Sequence, residues 1–161
     1  MPTAKDVIRS TIETADFLVN TYLADLSDDD MYVSLGGDSN SIAWQLGHLI
    51  VSERQSVETL KPGSCPALPE RFAESHTKET GWPNAFEKVG LKDDYLKAAA
   101  AQRAATLAVL DGLTDEELDA PTGVDYAPTT YLLFNMVGIH ILMHIGQFVA
   151  LRRKLGKPVV M

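Results

Sequence analysis

Residues 131–151 read YLLFNMVGIHILMHIGQFVAL, an apolar run interrupted by Asn135, His140, His144 and Gln147. A run of this length either spans a bilayer or forms the central helix of a soluble protein. Arg152, Arg153 and Lys154 follow it like a positive membrane flank. The polar side chains decide the reading, because each would be costly against lipid. The run is therefore predicted to be a buried helix over about 129–155, stopped by Gly156 with Pro158 beyond. Its apolar residues go almost all the way round, so it is expected to be the most enclosed helix of the molecule.

Three further helical patterns precede it. The first covers about 4–23, with Thr3 as N-cap and Val7, Ile8, Ile12, Ala15, Leu18, Val19 and Tyr22 at three- and four-residue steps. The second covers about 41–60, capped by Asn40 or Ser39 and closed by Pro62 and Gly63. Ile42, Leu46, Leu49 and Ile50 form its inner face, and His48 lies beside that face. The third covers about 93–110, with Asp93 and Asp94 complementing its N-terminus and Gly112 ending it. Ala98 to Ala101, Ala104 and Ala105 make this helix slim, and Gly146 in the last helix likewise reads as a place of close approach.

Between these patterns lie predicted loops. Ser27, Asp28, Asp29 and Asp30, then Gly36, Gly37 and Asp38, mark the first. Residues 61–90 are broken by Pro62, Pro66, Pro69, Gly81, Pro83 and Gly90, with room for a short helix near 69–74. A connection this long is often functional, and it is placed across one end of the helices. Thr114 caps a short turn of helix, and Pro121, Gly123 and Pro128 form the last loop. No strand-like alternation of useful length appears. The expected architecture is all-α: a four-helix bundle of antiparallel helices, with a long crossover loop between helices 2 and 3, in one domain over 1–161.

The formal charge of -8 provides no basic surface to neutralise phosphates, so a nucleic-acid partner is not expected. The single cysteine, Cys65, excludes an internal disulfide framework and suits a reducing, cytoplasmic setting. It sits in a loop with no basic neighbour closer than Lys61, which fits an inert thiol. The polar N-terminus shows no secretory signal.

His140 and His144 are spaced i, i+4, which puts both imidazoles on one helix face. Their neighbours Ile139, Ile141, Leu142, Met143 and Ile145 offer no side-chain partner. Either each ring finds a hydrogen bond from an adjoining element, or one divalent ion satisfies both. His48 adds a third imidazole within a strong helical pattern, and bundles build metal sites from facing helices. His76, in the polar run Glu74-Ser75-His76-Thr77-Lys78, reads as a solvated surface histidine. The pair lacks the glutamate of the metallopeptidase helix, so any chemistry rests on the ion. Gln147 shares a face with His144 and either orients a ligand there or packs at a helix surface. Trp44, one turn before His48, is either a pocket wall or a core tryptophan. Glu53 lies off the face of His48 and reads first as a surface charge, with a helper role as the alternative.

Two segments resemble the DinB-like family of DNA-damage-inducible proteins, which is related to metal-dependent thiol S-transferases and mycothiol-dependent maleylpyruvate isomerases. One is Ile42-Ala43-Trp44-Gln45-Leu46-Gly47-His48-Leu49. The other is His140-Ile141-Leu142-Met143-His144-Ile145-Gly146-Gln147 with the basic exit Arg152-Arg153-Lys154-Leu155-Gly156-Lys157-Pro158. The resemblance implies an up-down-down-up bundle in which His48, His140 and His144 hold a divalent metal ion, often in a homodimer. It also implies, for some relatives, transfer of a low-molecular-weight thiol to a small-molecule electrophile. The expected function is a cytoplasmic, metal-dependent thiol S-transferase with zinc, nickel or iron at the site. The alternative is a non-catalytic, stress-related metal-binding or interaction module. Neither reading involves a membrane.

Overall fold

The computed structural model describes residues 1–37, 39–81 and 88–160; the loop readings of Asp38 and Pro83 lie outside these. The described part is mostly helical. Helix α1 (Ala4–Leu23) starts at a capping box in which Thr3 and Asp6 satisfy each other's backbone N–H groups. Helix α2 (Ile42–Leu60) is capped by Ser41, whose hydroxyl accepts from the Trp44 N–H, rather than by Asn40 or Ser39. A short helix α3 (Phe72–Ser75) occupies the crossover. Helix α4 (Lys92–Gly112) and helix α5 (Asp115–Asp119) follow, the latter behind a capping box at Thr114 and Glu117. Helix α6 (Thr130–Lys154) closes the order, capped by Thr129.

The long helices pack in a closed circuit: α1 on α6, α6 on α2, α2 on α4, and α4 back on α1. Ile8, Ile12, Ala15, Val19, Tyr22 and Leu23 bury the inner stripe of α1, while Val7 is exposed. Ile42, Leu46, Leu49 and Ile50 are buried as their spacing requires. The alanines of α4 mostly face outward, and its buried face instead carries Gln102, Arg103 and Thr106. Gly146 is not a point of close approach: a Cβ there would meet nothing within 4 Å. That role belongs to Gly138, where a Cβ would lie 2.8 Å from Thr11 Cγ2 and 3.1 Å from the Thr11 backbone.

Two expectations for the C-terminal half are corrected. The loop containing Pro121, Gly123 and Pro128 is a β-hairpin, β1 (Pro121–Val124) paired antiparallel with β2 (Ala127–Thr129). Gly123, at φ +74°, supports the register irregularity within it. Helix α6 is also less enclosed than its composition suggests. It is long and apolar enough to cross a bilayer, yet it packs on α1 and α2 along one side. On the other side Leu132, Ile139, Leu142 and Met143 are 36–60 % exposed. Its basic exit is structural. Arg152 is buried, donates to the Tyr22 carbonyl at 2.6 Å and the Pro158 carbonyl at 3.1 Å, and pairs with Asp25.

Candidate metal centre

Helices α2 and α6 face each other where His48 meets His140 and His144. The three rings lie close: the His48 centroid is 5.3 Å from that of His140 and 5.7 Å from that of His144. One donor nitrogen from each ring lies within 4.8 Å of the others. The Nε2 atoms of His140 and His144 are 3.2 Å apart. Two nitrogens bound at about 2.0–2.1 Å to one tetrahedral ion would be about 3.3 Å apart, so this pair fits that edge. Among the described residues, the cluster contains no cysteine or carboxylate.

A chain of hydrogen bonds fixes which nitrogen of His144 is free. Gln45 Nε2 donates to the Asn40 carbonyl at 2.9 Å, which orients the amide. Its Oε1 therefore faces His144 Nδ1 at 2.9 Å and must accept from it. In the neutral ring this leaves Nε2 bare and directed at the cluster. Burial holds all three rings below the ordinary histidine pKa, and their mutual proximity adds to the effect at His140 and His144. His144 is brought down to about 4. Neutral imidazoles with free lone pairs are the form a cation requires.

Trp44 stacks on His48, with centroids 5.0 Å apart and planes within 6°. Its Nε1–H donates to Thr80 Oγ1 at 3.3 Å, and Gly81 leaves the room its ring needs, since a Cβ there would lie 2.9 Å from Cζ2. Trp44 is thus a buried tryptophan that covers one face of the His48 ring. His48 and His140, but not His144, line a cleft of about 700 Å³ between the helices. Ser52, Ser56 and Thr59 of α2 line one side, Leu133, Met136 and Val137 of α6 the other, and Val124 and Tyr126 of the hairpin the rim.

Three readings of single residues are corrected. Gln147 is exposed, and the glutamine that orients His144 is Gln45. Its signal was available: Gln45 sits among the inward positions of α2. Glu53 is buried rather than a surface charge. Its Oε2 pairs with Arg103 Nη2 at 2.9 Å and its Oε1 accepts from Thr106 Oγ1 at 2.5 Å. Burial pushes its carboxyl pKa up, while Arg103 and Thr106 oppose that shift. His76 is wholly buried rather than solvated. Cys65 is a free, half-buried thiol within 3.2 Å of Gln102 Nε2, away from the cluster.

No curated protein matches the chain. A family model described as the DinB superfamily matches residues 12–148, which contain all three clustered histidines.

Proposed function

Because the chain belongs to the DinB superfamily and brings His48, His140 and His144 into one cluster, we propose a metal-dependent enzyme acting on a small molecule, with a thiol as cosubstrate. The four long helices would form the up-down-down-up bundle of that family, working in the cytoplasm. The observation that carries the reading is that two of the three clustered histidines, His48 and His140, line an open cleft. A structural ion is closed off by four protein ligands, whereas a catalytic ion keeps a position for substrate. That contrast favours catalysis over a non-catalytic binding module.

Bound by the three imidazoles, a divalent ion would supply Lewis acidity and favour the thiolate form of a thiol in the cleft. The chain's own residues do the rest. Gln45 holds His144 in the tautomer that presents Nε2. Trp44 closes the flank of His48 and keeps water from that side of the ring. Ser52, Ser56 and Thr59 offer hydroxyls to the polar part of a ligand, and Leu133, Met136 and Val137 cover its apolar part. Glu53 keeps both oxygens engaged with Arg103 and Thr106, so its role is to tie α2 to α4. The exposed stripe Leu132, Ile139, Leu142 and Met143 on α6 is where we place the contact of a homodimer.

Elemental analysis of untagged protein, purified without added metal, tests the reading. Wild type is expected to carry one equivalent of zinc, nickel or iron, and His140→Ala and His144→Ala to lose it. Metal-loaded wild type is then assayed with a panel of low-molecular-weight thiols and an electrophile. Thiol transfer that persists undiminished in metal-free His140→Ala would refute the mechanism.

A further inference from the structure

The plane of a histidine ring is only loosely set by its own side chain, because rotation about the bond to the ring has broad minima. The nitrogen lone pair lies in that plane, so a neighbour must fix it if three rings are to meet at one ion. Gln45 does this for His144. At His48 the flat neighbour is Trp44, one turn earlier on the same face of α2. The two rings stack at 5.0 Å between centroids, with planes within 6°. Held so, the His48 ring stands at 87° to that of His140 and 56° to that of His144. A ring turned out of this plane takes its lone pair off the shared point, and metal–ligand distances tolerate only about 0.2 Å.

Trp44 is in turn held by the crossover. Its indole Nε1–H donates to Thr80 Oγ1 at 3.3 Å, and the Thr80 hydroxyl donates to the Ser75 and Thr77 carbonyls, at 2.8 and 2.9 Å. Gly81 sits against the ring edge, where a Cβ would lie 2.9 Å from Cζ2. This stretch is anchored on α2 by His76, whose ring fills a slot left by Gly47: a Cβ there would fall 2.1 Å from His76 Cδ2. The Phe72 carbonyl lies 2.6 Å from His76 Nδ1, and the Tyr95 hydroxyl 3.0 Å from Nε2. Thr77, Lys78 and Glu79, between His76 and Thr80, line the cleft.

We propose that Trp44 is the positioning residue for His48, its indole setting the plane of the imidazole, and that the Thr80 hydroxyl holds the indole in register. The proposal rests on the metal reading above for its consequence at the ion, but the stack and its hold on the ring stand without it. It also joins two parts of the site. The cleft wall formed by residues 77–79 is continuous with Thr80. A ligand that presses on that wall therefore reaches the His48 ring through Thr80 and Trp44.

The test uses the full chain, with zinc as probe, titrated against a chromophoric chelator. A second readout, in metal-free protein, is the nuclear Overhauser contact between the His48 and His140 rings, whose centroids are 5.3 Å apart. Trp44→Leu keeps an apolar side chain but no flat face. It is expected to weaken zinc binding by about 10- to 100-fold and to abolish the ring contact. Thr80→Val removes the acceptor while keeping the shape. It is expected to move both readouts in the same direction, with zinc bound about 10-fold more weakly, and Thr80→Ser to restore them. Zinc affinity within about threefold of wild type, or an unchanged ring contact, in folded Trp44→Leu overturns the proposal. Should that variant fail to fold, Thr80→Val carries the test against the same two limits. If wild type itself binds no zinc, the metal reading fails, and the ring contact alone decides this one.

Discussion

Replacing Gly47 by alanine tests the packing behind the site with a sign opposite to the usual one. In the interior of a helix, Gly→Ala normally stabilises by about 1 kcal/mol, because alanine loses less backbone entropy. At Gly47 the new methyl would start 2.1–2.5 Å from three ring atoms of His76, where a carbon contact needs about 3.5 Å or more. The ring would have to retreat by over an ångström. It would then lose the bonds to the Phe72 carbonyl and the Tyr95 hydroxyl, now 2.6 and 3.0 Å long. Each costs about 1 kcal/mol, and about 1–3 kcal/mol where the buried partner is left unsatisfied. Set against the propensity gain, the net expectation is destabilisation by about 2–4 kcal/mol. Urea unfolding of metal-free protein reads this as a lower midpoint with an unchanged slope. Gly146→Ala is the control, because a methyl there meets nothing within 4 Å; it is expected to stabilise by up to about 1 kcal/mol. A Gly47→Ala protein as stable as wild type would refute the account of the slot.

Acid sensitivity provides a second expectation. Burial holds His76 and His144 at about 4 in the folded metal-free protein, against 6.5 for a free ring. The unfolded chain therefore binds more protons than the folded one between those values. The stability is fully present above pH 6.5 and is lost as pH falls toward 4, by up to about 3 kcal/mol per histidine. Urea midpoints measured from pH 7 to 4 should fall steeply in wild type and less steeply in His76→Phe; a flat profile in wild type contradicts the burial of both rings. The third concerns the proposed dimer. Met143→Glu places a charge in the exposed stripe of α6 and is expected to sediment as a monomer where wild type sediments as a dimer; a dimeric variant would move the contact elsewhere.

The long helices and the three clustered histidines were legible because period and spacing are local properties of the chain. Thr3, Thr114 and Gly156 mark ends by rules that act within one turn. What escaped was decided by partners distant in sequence. The neighbours of His76 are polar, and nothing in that run announces that Tyr95, nineteen positions on, will cover it. Glu53 reads as a solvated charge until Arg103 and Thr106 arrive from α4, whose buried polar stripe is masked by abundant alanine. Gln147 shares a face with His144 on paper, but that position turns to the exterior, and Gln45 of the facing helix makes the contact. The exposed side of α6 was hidden for the opposite reason. Composition counts apolar residues all the way round and cannot tell which of them another element will cover.

The run Trp44-Gln45-Leu46-Gly47-His48 shows how densely one helical turn can be assigned. Successive residues on a helix point about 100° apart, so five in a row sample every direction around it. Trp44 and His48, four apart, stack on one face. Gln45 turns toward α6 and fixes the tautomer of a ligand on the opposite helix. Leu46 goes to the core, and Gly47 opens the slot for His76. Ligand identity is therefore not enough to specify the site. A chain with histidines at 48, 140 and 144 but leucine at 45 would lose the acceptor that keeps the proton on His144 Nδ1. That proton could then move to Nε2, the atom now 3.2 Å from His140, and the lone pair would point away from the cluster. The same chain with alanine at 47 would displace the His76 ring packed behind the helix that carries His48. The spacing of the histidines brings the rings together, and Gln45, between Trp44 and His48, decides where the lone pair of His144 points.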